Sequence, residues 1–239
     1  MSRLKVCVAL LAAFVLAVVC QPMAHAGAVA YFLDGTTMNY FTPSGNTALP
    51  GGWNNNGFVG AGDGTAYMLD GVNMYHFTPS GLATNLGGSF TNNGFVGAGD
   101  GTAYFLDGAT MWHFTSTGKT QVPGGFVNNG FVGAGDGTAY ILDGTAVRHL
   151  TPSGLTTIPF FGVGPGNNNG FVGAGDGTAF ILDGTTMYHL TPSGATALPG
   201  GWVNNGFVGA GFVPEPSSVV LLGLGLAGLV GCVRRKRQS

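Results

Sequence analysis

Three sets of residues in this chain carry chemistry: paired aspartates, a column of histidines, and aromatic residues set beside asparagines. Asp63 and Asp70 recur in step as Asp100 and Asp107, Asp136 and Asp143, and Asp176 and Asp183, with Asp34 as a further single copy. Two carboxylates at a set separation are the acid and base of a glycosidase. Each copy here, however, sits in a Gly-Asp-Gly or Asp-Gly step, where aspartate bonds its own turn. His76, His113, His149 and His189 hold one position in successive repeats, with Tyr40 in the remaining one. A metal needs its ligands converging on one ion, and equivalent residues of separate repeats converge only along a common channel, so packing or hydrogen bonding is the expectation. Trp53, Phe90, Phe126 and Trp202 lie beside asparagines such as Asn55 and Asn204. An aromatic face with oriented amides suits a sugar ring, which makes these six the candidate ligand-binding residues. The same pattern also suits packing between repeats. The glycine-rich Gly60-Ala61-Gly62-Asp63-Gly64 resembles a phosphate cradle only in composition, because neither a helix nor a lysine follows it. Calcium repeats of the Gly-Gly-x-Gly-x-Asp kind recur every nine residues or so, unlike this one, so turn geometry is the expected role.

The elements that must position these residues are announced by self-similarity. Phe58-Val59-Gly60-Ala61-Gly62 returns at Phe95, Phe131, Phe171 and Phe207, a spacing of 36 to 40 residues. Such a period marks an array of one supersecondary unit. Within a unit, the run from Phe58 ends at Gly62-Asp63-Gly64, the alternating run from Thr65 ends at Asp70-Gly71, the run from Met74 ends at Pro79-Ser80-Gly81, and a weaker run from Leu82 ends at Gly87-Gly88. Asp-Gly between alternating apolar runs is a strong hairpin signal, and the body shows no helical period. Each unit therefore reads as four short antiparallel strands, and radial repetition of such a unit gives a propeller blade. The body opens in a second strand at Ala28-Val29-Ala30-Tyr31 and closes in a first strand at Phe207. The expected fold is all-β, a five-bladed β-propeller of four-stranded antiparallel blades, with the last strand completing the first blade. An open β-solenoid would need polar capping units at both ends, and the sequence offers none.

Composition bounds the function. Residues 27–211 hold nine aspartates, no glutamate, and only Lys119 and Arg148 as fixed positive charges, a balance of seven negative charges. Nucleic acid is excluded as an expected partner, because phosphate binding needs clustered lysine and arginine. Cys7, Cys20 and Cys232 all fall outside this body, which therefore has no disulfide or thiolate metal site. No cofactor is expected. Lys119, Arg148 and the insertion between Pro159 and Gly166 break the symmetry without forming a recognisable catalytic set.

The two ends carry addresses. Residues 1–26 combine Arg3 and Lys5, an apolar run over residues 6–19, and Ala24-His25-Ala26, the order of a secretory signal peptide. A lipoprotein signal centred on Cys20 fits less well, since Val19 stands where a small residue is wanted. Residues 213–239 begin Val213-Pro214-Glu215-Pro216-Ser217, continue as an apolar run over residues 219–233, and end Arg234-Arg235-Lys236-Arg237. Fifteen apolar residues make a short membrane helix, at about 1.5 Å per residue against a hydrocarbon core of roughly 30 Å. The basic cluster would hold the extreme C-terminus in the cytoplasm. Residues 27–212 lie between these signals as the repeat domain.

The tail, with its Pro214-Glu215-Pro216 motif, short glycine-containing apolar helix and Arg234-Arg235-Lys236-Arg237 cluster, resembles the PEP-CTERM sorting domain of Gram-negative bacteria. That resemblance implies an exosortase-type processing enzyme as partner, transient anchoring in the inner membrane, and delivery to the cell surface or extracellular matrix. A second resemblance rests on Gly51-Gly52-Trp53-Asn54-Asn55 and Gly200-Gly201-Trp202-Val203-Asn204 with the Asp-Gly-Thr-Ala-Tyr type strand that follows such linkers. These are similar to blades of tachylectin-like five-bladed propellers, lectins that bind amino sugars at one site per blade. It implies weak binding of an exopolysaccharide at each repeat, strengthened by multivalency. The resulting expectation is a non-enzymatic surface or matrix protein that binds polysaccharide. The alternatives are a purely structural or adhesive repeat protein and, least favoured, a glycan-active enzyme.

Overall fold

The structure is a computed structural model and describes residues 30–42, 44–159 and 168–204. Among these residues every regular element is a β-strand, gathered into five antiparallel sheets that follow one another along the chain. The first sheet holds β1 (Ala30–Asp34), β2 (Thr37–Thr42) and β3 (Gly45–Leu49). The second holds β4 (Asn55–Gly60), β5 (Ala66–Asp70), β6 (Asn73–Phe77) and the short β7 (Ala83–Asn85). β8 (Asn92–Gly97), β9 (Ala103–Asp107), β10 (Thr110–Thr115) and β11 (Gly118–Val122) form the third, and β12 (Asn128–Gly133), β13 (Ala139–Asp143), β14 (Ala146–Thr151) and β15 (Gly154–Ile158) the fourth. The fifth is β16 (Asn168–Gly173), β17 (Ala179–Asp183), β18 (Thr186–Thr191) and β19 (Gly194–Leu198). Strand order within each sheet is sequence order, a simple meander. The sheets are thus repeated blades of a β-propeller-like fold, four of them four-stranded and the first three-stranded among the described residues. The expected closing strand from Phe207, the signal peptide and the C-terminal helix lie outside the described residues.

Local sequence explains each turn. Gly35, Gly71, Gly108, Gly144 and Gly184 follow the hairpin aspartates at φ between 57° and 62°, the left-handed region that a side chain disfavours. In the second, third and fourth blades the first strand begins two residues after the linker aromatic Trp53, Phe90 or Phe126, earlier than the Phe-Val-Gly run alone suggests. Its asparagine pairs with the aspartate that ends the second strand, as Asn55 with Asp70, and a register shift follows before Gly57. The same irregularity recurs at Asn92 and Asn128. A β-bulge at this point bends the strand and increases its twist.

First strands of successive blades lie side by side, and their glycines let them do so. A Cβ on Gly97 would fall on the carbonyl oxygen of Gly60, one on Gly133 on that of Gly97, and one on Gly173 on that of Gly133. Core residues sit between blades. Tyr67, Leu69 and Met74 of the second blade meet Ala103, Phe105 and Phe114 of the third, all at most 1% exposed. Three further clusters repeat this arrangement along the chain. Alternation along β5 and β6 therefore points one set of side chains at the preceding blade and the other at the following blade. Both faces of a blade are buried, which is why the strands are apolar on both sides.

Candidate functional site

The aspartates divide into two structural sets at opposite ends of the blade. Asp63, Asp100, Asp136 and Asp176 lie in the turns between first and second strands. Each accepts from the threonine two residues on, through its amide and its hydroxyl. At Asp63 these bonds from Thr65 are 2.9 and 2.5 Å, and the same pairs recur at Thr102, Thr138 and Thr178. The Thr178 bond holds the Asp176 carboxyl below the usual carboxylate range. Asp70, Asp107 and Asp143 end the second strands and accept from linker amides instead, Asn54 at 2.7 Å, Thr91 at 2.8 Å and Val127 at 2.7 Å. The two carboxylates of one blade are therefore separated by the length of β5, roughly 16 Å at about 3.3 Å per residue. Acid and base in a glycosidase stand about 5 to 9.5 Å apart. Asp63 and Asp70 do not meet that geometry.

Histidine and tyrosine pair across the second and third strands. His76 lies 4.8 Å from Tyr67, His113 4.8 Å from Tyr104 and His149 4.8 Å from Tyr140, ring centre to ring centre. His189 stacks on Phe180 at the same distance of 4.8 Å. His76, His113 and His149 are buried, and burial pushes all three imidazoles below their ordinary pKa although Asp63, Asp100 and Asp136 pull the other way. Among the described residues no three histidines, cysteines or acids converge closely enough for a metal ion. The tyrosines reach across the blade boundary. Tyr31 donates to the Gly64 carbonyl at 3.0 Å, Tyr67 to Gly101 at 2.8 Å, Tyr104 to Gly137 at 3.1 Å and Tyr140 to Gly177 at 2.8 Å. Burial is the largest cause raising all four phenol pKa values. Sequence reading missed this clasp, although the Tyr and Gly-Asp-Gly spacing carried it.

The six candidate ligand residues lie on separate linkers, Trp53 and Asn55 before and at the start of β4, Phe90 before β8, Phe126 before β12, and Trp202 and Asn204 after β19. Trp53, Phe90 and Phe126 are only 7%, 4% and 3% exposed, wedged where two blades meet, whereas Trp202 is 46% exposed. Trp53 packs edge-on against Tyr75 and Phe77 at 5.0 and 4.9 Å. Phe90 does the same against Phe105 and Phe114, both at 5.6 Å. The two symmetry-breaking cations cover the same wedges. Lys119 Nζ lies 4.0 Å from the Phe90 ring centre and 4.7 Å from that of Trp112. Arg148 lies 5.9 Å from Phe126 while its Nε pairs with Asp143 at 2.6 Å.

The exposed asparagines are bound into the frame. Asn55 accepts from the Gly57 amide at 2.9 Å, and Asn56 accepts from the Gly71 amide of its own hairpin at 3.0 Å. Asn92 donates to the Asn56 carbonyl of the preceding blade at 2.6 Å, Asn128 to Asn93 at 2.7 Å and Asn168 to Asn129 at 2.9 Å. Asn204 continues the series by donating to the Asn169 carbonyl. Asn92, Asn128, Asn168 and Asn204 thus tie blade to blade, and Asn56, Asn93 and Asn129 hold the hairpins that follow. The insertion at residues 160–166 and the sorting-tail residues Pro214, Glu215, Pro216, Arg234, Arg235, Lys236 and Arg237 lie outside the described residues.

Residues 212–236 match the PEP-CTERM protein-sorting motif. A search of the curated proteins finds no match to this chain. Solved structures resemble it at low identity. The streptogramin B lyase structure is 11% identical over 73% of this chain and 70% of that one, with a TM-score of 0.46. YCF48 from Cyanidioschyzon merolae is 13% identical over 72% and 69%, with a TM-score of 0.46. PorZ, a surface component of the type-IX secretion system of Porphyromonas gingivalis, is 13% identical over 73% of this chain, with a TM-score of 0.48; the chain spans only 25% of its length. The blade architecture stands on the repeated sheets themselves. The chain carries a PEP-CTERM protein-sorting motif behind a β-propeller-like body of repeated antiparallel sheets.

Proposed function

We propose that this is an exported, non-enzymatic surface protein whose repeats form a structural body, delivered and released through its sorting tail. One observation carries the structural half of this reading. The recurring aspartates, tyrosines and asparagines with chemistry to offer make bonds that build a turn or join neighbouring blades. The sorting motif carries the other half, since a PEP-CTERM tail is the substrate signal of exosortase processing and implies export with a C-terminal membrane anchor. The path that follows is secretion under residues 1–26, anchoring by residues 219–233 in the inner membrane, cleavage near Pro214-Glu215-Pro216, and residence at the surface or in the matrix.

Multivalent polysaccharide binding is the second reading. The repeat supports it, because similar exposed amide-bearing edges recur around one rigid body and weak contacts there add through avidity. The buried faces of Trp53, Phe90 and Phe126 favour the structural reading over it.

Fractionation of cells making the full chain tests the tail. The unaltered protein is expected in the surface or released fraction as a species shortened by the tail. A variant with Pro214→Ala, Glu215→Ala and Pro216→Ala is expected at full length in the membrane. Equal processing of both would sink the proposal.

A further inference from the structure

The same four residues, Asn-Asn-Gly-Phe, open β4, β8, β12 and β16, at residues 55–58, 92–95, 128–131 and 168–171. Their middle step is Asn-Gly, where a thermolabile asparagine meets a backbone nitrogen that no side chain shields. The fold cannot dispense with the glycine. A Cβ on Gly57 would fall on the side-chain amide of Asn92, one on Gly94 on that of Asn128, and one on Gly130 on that of Asn168. Those amides are the ones that tie each blade to the blade before it. A chemically weak step is therefore built into the strand by the tie itself.

Two hydrogen bonds guard the step. The glycine amide, whose nitrogen is the nucleophile, donates to the first asparagine: Gly57 to Asn55 at 2.9 Å, Gly94 to Asn92 at 3.0 Å, Gly130 to Asn128 at 3.0 Å and Gly170 to Asn168 at 3.1 Å. The second asparagine, whose Cγ would be attacked, is latched to the next hairpin. Asn56 accepts from Gly71 at 3.0 Å, Asn93 from Gly108 at 2.9 Å and Asn129 from Gly144 at 3.1 Å. Asn169 departs from the pattern. Among the described residues its side chain makes no such bond to Gly184, and only its backbone carbonyl is engaged, by Asn204. All four second asparagines are exposed, so access of water does not separate them. The latch does.

We propose that Asn169 is the site of spontaneous deamidation in this body, while Asn56, Asn93 and Asn129 keep their amides for as long as their blades stay folded. The bond from the Gly170 nitrogen to the Asn169 Cγ forms, the Cγ–Nδ2 bond breaks, and ammonia leaves with the proton of the Gly170 amide. Water then adds to either carbonyl of the cyclic imide and opens it, giving aspartate or isoaspartate. The step needs neither an oxidant nor a cofactor. Isoaspartate carries an extra methylene in the main chain of β16, which displaces the carbonyl that accepts from Asn204. Ageing of the protein therefore loosens this blade first.

The repeat supplies its own control, because four identical tetrapeptides differ only in how the fold holds them. The full chain is held at mildly alkaline pH, digested, and followed by peptide mass spectrometry, with electron-transfer fragmentation to tell isoaspartate from aspartate. Asn169 is expected to convert about fivefold to tenfold faster than Asn56, Asn93 or Asn129, the scale of one lost hydrogen bond. In denaturant all four are expected to converge on a common, faster rate. The Asn55→Ala variant removes the acceptor of the Gly57 amide, so Asn56 should quicken by a similar factor while Asn93 and Asn129 stay slow. Should that variant quicken all four, its blades have opened and the ranking in the unaltered chain decides. Equal rates at the four sites of the folded chain, a lead for Asn169 that persists in denaturant, or an Asn56 untouched by Asn55→Ala would each overturn the proposal.

Discussion

At the scale of the residue, the hydroxyl of Tyr104 shows how side chains here serve the frame. It meets the Gly137 carbonyl in a buried boundary, so Tyr104→Phe leaves that acceptor without its donor. A loss of about 0.5 to 1.5 kcal/mol is expected in denaturant unfolding. The histidines add a dependence on pH. Burial lowers the folded pKa of His76, His113 and His149 below the ordinary value of 6.5, so the unfolded chain binds protons more readily than the folded one. Their contribution is complete above about pH 6.5 and is lost as the pH falls below it. Thermal unfolding across pH 5 to 7.5, roughly the range in which histidine titrates, should show this decline. A His76→Gln, His113→Gln, His149→Gln variant should show a flatter profile. The turn aspartates were legible in the sequence because Asp-Gly and Gly-Asp-Gly have few alternative uses. The roles of the asparagines were not, since an amide beside an aromatic looks the same whether it meets a sugar or the carbonyl of the next blade.

At the scale of the element, the first strand of each blade is the most constrained, because its neighbour on the next blade is another first strand. The constraint extends into the turn that follows: Gly135, two residues past the end of β12, has φ 94°, and a Cβ there would fall on the backbone of Gly175. Gly135→Ala therefore combines left-handed strain with a backbone clash and should cost more than the roughly 1 to 3 kcal/mol of an ordinary strained residue, read as a fall in melting temperature or a failure to fold. Gly144→Ala is the contrast: it shares the positive φ of 62° but meets nothing within 4 Å, so its cost should stay near the strain alone. Strand count and order were readable from turn signals and alternation. The early start of β4 at Asn55 was not, because the bulge before Gly57 breaks the alternation that marks a strand.

At the scale of the whole molecule, the repeat spreads stability over similar boundaries, and three of the four core clusters of the described residues hold a linker aromatic, Trp53, Phe90 or Phe126. Phe126 is 3% exposed within a cluster drawn from the third and fourth blades. Phe126→Ala should cost about 3 to 5 kcal/mol, as large-to-small changes in cores do. The number of repeats was plain from the sequence, since five copies of Phe-Val-Gly-Ala-Gly carry it. That the aromatic residues face each other's blades became visible only in three dimensions, because burial between units depends on how blades stack rather than on any one unit's pattern. The central claim is that the recurring aromatic and amide residues hold the blades together. The most direct test compares the full chain with its Trp53→Ala and Phe126→Ala variants, measuring retention on exopolysaccharide and thermal unfolding on the same samples. The expected result is a lower melting temperature with retention per folded molecule unchanged. Loss of retention at an unchanged melting temperature would contradict it.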